Sequence, residues 1–344
     1  MSVAGTRPLE PGFKLFVNAY RLEESARSCQ LCRMMHRSLG AVPLTATIDD
    51  VVVSRDGTNL KVSERSRPVL RICAERESPG YQDIHVGLPT LPMAGSELHM
   101  SLMKEWLRSC KCGPPHAAPD GEGDAASEQM FRPTRVLDVG GPGSSELRLH
   151  CTPTAPGRHD YIALSHCWGK PTKEEWRKVC THVENYEARC RHLALEDMPK
   201  TFRDAITVTW GLGKRFLWID SLCIIQGDED DWERESQLME AIFNSAYCTI
   251  SATSATGFDQ GFLLPRPPRE CVRLPNAPPE ADPLWLCEVV DDFRTDVEDG
   301  PVNRRGWVFQ ERALSRRIIY FTENQTYFEC GGGVRCETLS KFRK

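Results

Sequence analysis

A chain of 344 residues, 40% hydrophobic and 26% charged, has ordinary soluble composition, with room for one large domain or two modest ones and enough apolar material for a core. The net charge of -5, with no long Lys/Arg block, argues against nucleic acid or an anionic membrane as the main partner. No apolar run approaches the roughly 18 to 20 residues of a membrane span. Fifteen cysteines, an odd count, follow an N-terminus (MSVAGTRPLEPGFKLF) that lacks the charged-then-apolar layout of a secretion signal. The expectation is reduced thiols in a cytoplasmic protein rather than a disulfide framework.

Residues 1–112 read as a mixed α/β region. Short β-type runs at Asp50 to Ser54, Val69 to Cys73 and Ile84 to Val86 precede a helix near Glu97 to Cys110, on which Leu98, Leu102, Met103, Trp106 and Leu107 recur at helical spacing. Cys29-x2-Cys32 in this region, with Cys110-x-Cys112-x3-His116 at its end, presents soft thiolates and an imidazole. At these spacings they could close a tetrahedral zinc site between the two segments; a CxxC of two packed thiols is the simpler alternative. Residues 113–130, poor in apolar side chains and rich in Gly, Pro and acids, read as an exposed linker. Within 131–160, the runs Thr134 to Val139 and Glu146 to Leu149 around Gly140-Gly141-Pro142-Gly143 read as a lead-in hairpin.

The main domain, 161–317, repeats strand and helix. Tyr161 to Ser165 is a short apolar strand ending on His166-Cys167-Trp168-Gly169. Helical stretches follow at Lys173 to His192 and Pro199 to Trp210, the second with Phe202, Ala205, Ile206 and Trp210 on one face. In RFLWIDSLCIIQ, Arg215 to Gln226, a four-residue apolar run has the character of a strand buried on both faces. It stops on Asp220 and Ser221, where a parallel sheet opens its ligand crevice. Asp220 could equally cap the turn that follows. On the helix Asp231 to Ala246, at about 100° per residue, Trp232, Met239, Ile242, Phe243 and Ala246 form one stripe, and Glu235 projects from that stripe rather than from the polar face. A carboxylate so placed must be paired, protonated or functional, because unpaired burial is costly. Tyr247 to Ala252 is a third strand of the same kind. The pattern is α/β, a mostly parallel doubly wound sheet flanked by helices, and it brings Ser165-His166-Cys167-Trp168, Asp220-Ser221 and Ser251 to Thr253 to one sheet edge. Residues 264 to 283 look proline-rich and irregular, the segment around Trp307 like a short polar-aromatic helix, and 318–344 like a C-terminal hairpin and tail.

Six motifs in order resemble the fungal heterokaryon incompatibility (HET) domain: YIALSHCWG (161–169), MPKTFRDAI (198–206), RFLWIDSLCIIQ (215–226), DWERESQLMEAIFNSAYCTISAT (231–253), GFLLPR (261–266) and RGWVFQERALSRRIIYF (305–321). In that family a WxxxC-x3-H-x2-C pattern precedes the domain. Cys112 and His116 fit its C-x3-H part and Trp106 precedes them, though with five residues rather than three before Cys112, and Pro119 stands in place of the last cysteine. Relatives often extend beyond the domain, whereas this sequence stops at Lys344. The resemblance implies an effector of nonself recognition and programmed cell death. It also implies a distant likeness to TIR domains, some of which hydrolyse NAD through a helix-borne glutamate shortly after a tryptophan, as Glu235 follows Trp232. On that likeness Glu235 and Asp220 are candidate catalytic carboxylates and Ser165, Trp168, Ser221 and Trp307 candidate ligand contacts. NAD enters as substrate, and no resident cofactor is required. The alternative is a non-enzymatic signalling module that binds protein partners or itself. A cysteine hydrolase is the weaker reading, since His166 and Cys167 on an extended chain point to opposite faces.

Overall fold

The computed structural model describes residues 14–39, 50–62, 68–75, 85–89, 91–112, 131–152, 160–274, 283–304 and 311–342. The chain forms two compact units. One comprises Met1–Leu91, Pro268–Asp291 and Thr338–Ser340, the other Pro92–Pro267, Asp292–Glu337 and Lys341–Lys344.

In the first unit a seven-stranded sheet runs in the order Lys14–Asn18, Asp50–Asp56, Asn59–Val62, Leu70–Ala74, Leu284–Glu288, Cys271–Arg273, with His85–Val86 added beside Leu70–Ala74. The helices Ala19–Ala26 and Gln30–Leu39 supply Leu22 and Met34, which pack on Val53 and on Leu60, Leu70, Ile72 and Leu286. The segment 264 to 283, expected to be irregular, contributes the strand Cys271–Arg273. Its ladder partner Leu284–Glu288 is held in turn by Leu70–Ala74, so the pairing comes from residues far away in sequence and leaves no local signature.

The second unit holds the helices α1 (Glu97–Ser109), α2 (Lys173–Val179), α3 (Val183–Arg191), α4 (Lys200–Gly211), α5 (Asp220–Cys223) and α6 (Glu229–Ser245). Its strands are β1 (Arg135–Asp138), β2 (Glu146–Cys151), β3 (Tyr161–Ser165), β4 (Leu193–Ala194), β5 (Phe216–Trp218), β6 (Cys248–Ser251), β7 (Arg317–Phe321), β8 (Thr326–Cys330), β9 (Gly333–Cys336) and β10 (Lys341–Phe342). They make one ten-stranded sheet in the order β10-β9-β8-β7-β6-β3-β5-β1-β2-β4.

Only the centre of this sheet is parallel: β3 pairs in parallel with β5 and with β6, and β6 with β7. Every other pairing in it is antiparallel. The sheet is therefore mixed, which corrects the expectation of a mostly parallel one. Two antiparallel hairpin systems, β1–β2 and β7 to β10, extend a short parallel centre. A hairpin needs only a turn to add a strand, whereas each parallel strand needs a helix to carry the chain back.

The centre is buried on both faces, which is why its strands read as unbroken apolar runs. Ile162, Leu164, Leu217, Ile219 and Ile250 face α4 and α1, meeting Phe202, Ala205, Ile206, Met103 and Trp106. Tyr161, Ala163, Phe216 and Trp218 point the other way, onto Ile242, Phe243 and Ala246 of α6. Alternation along each strand thus builds a three-layer helix-sheet-helix stack. In α6 the inward stripe begins with Asp231 and Glu235, while Trp232, expected within it, is 54% exposed. Helical period fixes the angle between residues but not which angle the sheet covers.

Candidate functional site

The parallel strands follow the spatial order second, first, third, fourth (β5, β3, β6, β7), so connections leave in opposite directions at the β3–β6 boundary. This is where doubly wound sheets open a crevice beyond the strand carboxyl ends. Ser165, the last residue of β3, lies in register with Ser251 of β6. The Ser251 hydroxyl is 3.1 Å from that of Thr253. Ser165 is buried, and its Oγ makes no hydrogen bond among the described residues.

Beyond Ser165 the chain places His166 and Trp168 over the top of the sheet. His166 is buried edge-on against Phe202, ring centroids 5.2 Å apart, and beside Phe258 at 5.6 Å. Its Nδ1 lies 3.9 Å from Asp220 Oδ1. Cys167 turns away to pack on Val302, so the two neighbours do point to opposite faces. Trp168 donates its indole N–H to Asp220 Oδ2 at 2.9 Å. Asp220 opens the one-turn helix α5, and its Oδ1 accepts the Ser221 N–H at 2.6 Å. It therefore caps its own turn and also reaches across to the β3 loop. A quarter of its side chain is open to solvent (25%).

Trp168 forms one wall of a cleft of about 620 Å³ built by four segments: the β3 loop from Trp168 to Pro171, the α2 face carrying Glu175, Lys178 and Val179, the entry to α4 from Glu196 to Arg203, and the β6 loop from Thr256 to Gln260. The loops are pinned from below. Thr201 donates its N–H to the Phe258 carbonyl (2.9 Å) and its hydroxyl to the Gly257 carbonyl (2.9 Å), and Asp204 accepts the N–H groups of Phe262 (2.7 Å) and Leu263 (3.0 Å). Gly169, at φ +74, crosses directly over Gly257, and a Cβ there would meet the Gly257 Cα at 3.0 Å and the Thr256 carbonyl at 3.2 Å. The lining mixes cations (Lys170, Lys178, Lys200, Arg203) with acids (Glu175, Glu196, Asp197, Asp259). Such a cleft can take an anionic group and hydroxyls together.

Residues 161–311 match the family model described as Heterokaryon incompatibility protein (HET). This segment is a HET domain. The role it carries is in heterokaryon incompatibility. Comparison of the chain with curated proteins and with solved structures gave no match. The cleft, Trp168, Asp220 and α6 all fall inside the HET domain.

The structure separates the two candidate carboxylates. Asp220 holds the indole of Trp168, a cleft-lining residue, without itself lining the cleft, whereas Glu235 is fully enclosed on the other face of the sheet. There Arg135 of β1, also buried, donates to the Cys223 carbonyl (2.6 Å) and to Asp231 Oδ2 (2.6 Å), and its Nη2 lies 3.3 Å from Glu235 Oε1. Asp231 also accepts the Ile225 N–H at 2.8 Å and pairs with Arg234. The cluster ties the chain leaving α5 to α6 and so holds the Asp220 turn in place. Burial pushes the Glu235 carboxyl above its ordinary range; the Arg135 charge opposes this without cancelling it.

Of the candidate ligand contacts, Trp168 lines the cleft, Ser165 is buried and does not line it, and Ser221 is wholly enclosed with its carbonyl accepting the Thr181 N–H (2.9 Å). Trp307 and His116 lie outside the described residues. Cys29 and Cys32 belong to the first unit, where the Cys32 N–H donates to Cys29 Sγ at 3.4 Å; Cys112 belongs to the second, where its sulfur neighbours are Cys110 and Cys330. Cys330 is the neighbour of Cys112 that the sequence reading did not select. The sequence reading brought His166 to this edge without a role and did not select Lys200, Arg203 or the 256–260 loop. Their signal was position, since each directly follows a buried strand or opens a helix on the same sheet edge.

Proposed function

We propose that this chain acts in heterokaryon incompatibility as an effector of nonself recognition and programmed cell death, and that its HET domain does so by cleaving NAD or a related nucleotide at the Trp168 cleft. The observation that supports this reading is the oriented carboxylate of Asp220, fixed by Trp168 and its own turn beside an aromatic, mixed-charge cleft at the β3–β6 boundary. Lys170, Lys178 and Arg203 suit phosphates, the acidic rim suits ribose hydroxyls, and the Trp168 face suits a ring.

In the reaction, the bond between ribose C1 and the pyridinium nitrogen breaks with its electron pair going to the ring, which leaves neutral. The Asp220 carboxylate, oriented by Trp168 and its own turn, stabilises the positive charge developing on the ribose. A water oxygen then bonds to C1 and its proton passes to solvent. The purified chain should consume NAD, and Asp220→Asn should lower turnover by about a hundredfold or more, while Glu235→Gln, a change in the enclosed cluster, keeps it. Intact NAD after incubation with the wild-type chain, or unchanged turnover in Asp220→Asn, would remove the chemistry.

The enclosure of Glu235 favours a second reading, a non-enzymatic module, because the helix-borne glutamate of the implied TIR-like chemistry has no open face here. Trp232, 54% exposed on α6, would be its contact residue. Cell death on overexpression with unchanged NAD, abolished by Trp232→Asp, would select this reading.

A further inference from the structure

Three thiols converge where α1 ends. Cys110 caps that helix, Cys112 follows two residues later, and Cys330 closes β8; their sulfurs all lie within 4.8 Å of one another. Cys330 is buried and the other two are half-buried. Small thiols often pack together as apolar groups, but two features set this trio apart. The Cys112 N–H donates to Cys110 Sγ at 3.4 Å and the Gly332 N–H to Cys330 Sγ at 3.4 Å. In both cases the amide two residues on folds back over the sulfur and holds it in place. Then Cys330 is followed by Gly331-Gly332-Gly333, and the glycines let the backbone close on the sulfurs. A Cβ on Gly331 would sit 3.3 Å from Cys112 Sγ, and one on Gly332 would sit 3.6 Å from Cys330 Sγ and 3.8 Å from Cys112 Sγ; Gly333 has φ +108.

We propose that Cys110, Cys112 and Cys330 bind one zinc ion, which fastens the end of α1 to the β8–β9 hairpin. Zinc bound to thiolates at about 2.3 Å in a tetrahedron spaces its sulfurs about 3.8 Å apart, so the trio needs only to tighten by up to about an ångström. Three soft sulfur donors select zinc over the hard cations, which take oxygen ligands. The remaining tetrahedral position is open to water or to a further ligand. The site is independent of the cleft chemistry.

The full chain, purified under reducing conditions without chelator, should carry about one zinc per molecule by elemental analysis. After zinc removal, Co²⁺ should give a thiolate-to-cobalt charge-transfer band. Cys330→Ser should weaken Co²⁺ affinity at least about tenfold, whereas Cys29→Ser should leave it unchanged. Should Cys330→Ser fold poorly, the wild-type chain still tests the site. Mass-mapped alkylation should spare Cys110, Cys112 and Cys330 until chelator is added, then modify them together. A reduced chain that holds no zinc and gives no cobalt band, a Cys330→Ser chain with wild-type affinity, or alkylation indifferent to chelator would each overturn the proposal.

Discussion

Replacing Arg135 by methionine tests whether the enclosed cluster supports the domain. The substitution keeps most of the side-chain volume and deletes the one buried cation that, among the described residues, faces Asp231 and Glu235, whose side chains are 2% and 1% exposed. It removes the bonds to the Cys223 carbonyl and to Asp231, both 2.6 Å, and leaves two carboxyls side by side. Breaking a buried pair by removing one partner costs about 3–5 kcal/mol. Asp231 keeps the Ile225 N–H and the half-exposed Arg234, so the lower end, about 3 kcal/mol, is expected. The pH dependence has a definite sign. Glu235 already has a raised folded-state pKa, so its ionisation costs the fold stability, and that cost is relieved as pH falls through the folded value. Losing Arg135 enlarges the cost, so the deficit in the Arg135→Met chain should shrink from neutral toward mildly acidic pH. Glu235→Gln alone should change stability by no more than about 1 kcal/mol, and the double variant should recover part of the loss. Urea denaturation across pH measures all three. A loss below about 1 kcal/mol, a deficit independent of pH, or a double variant no more stable than Arg135→Met would refute the assignment.

Glu337 gives the opposite pH limb. It is fully buried, and burial would raise its pKa, but His99 (3.0 Å from its Oε1) and Arg266 outweigh that and bring it below the ordinary range. Its contribution is therefore complete above the unfolded carboxylate pKa and lost as pH falls through the lower folded value. Glu337→Gln should flatten this acid limb and cost about 3 kcal/mol at neutral pH, read from denaturation midpoints. Gly169→Ala forces an L side chain to φ +74 against the Gly257 backbone and should lose about 1–2 kcal/mol, with a matching fall in melting temperature. Phe202→Ala, at the contact between α4 and His166, should cost about 3–5 kcal/mol and loosen the cleft wall, which tryptophan fluorescence from Trp168 would report.

The central strands and the helices α4 and α6 were legible in the sequence. Burial on both sheet faces leaves unbroken apolar runs such as Phe216 to Ile219, and one-sided burial leaves a helical period in Phe202, Ala205 and Ile206. The cleft edge was legible for the same reason: Asp220 is the first polar group after the buried run Phe216 to Ile219, His166 and Trp168 follow directly on Tyr161 to Ser165, and strand direction carried them to one side. Tertiary structure alone decided what lies opposite each residue. Nothing near Glu235 in sequence names Arg135 as its neighbour, nothing near Cys112 names Cys330, and the helical period around Trp232 cannot say which flank the sheet will cover. Local pattern records how much of a residue is hidden, because hydrophobicity must match burial. The identity of a partner brought in from a distant segment depends on chain topology, and leaves no trace in the neighbouring residues.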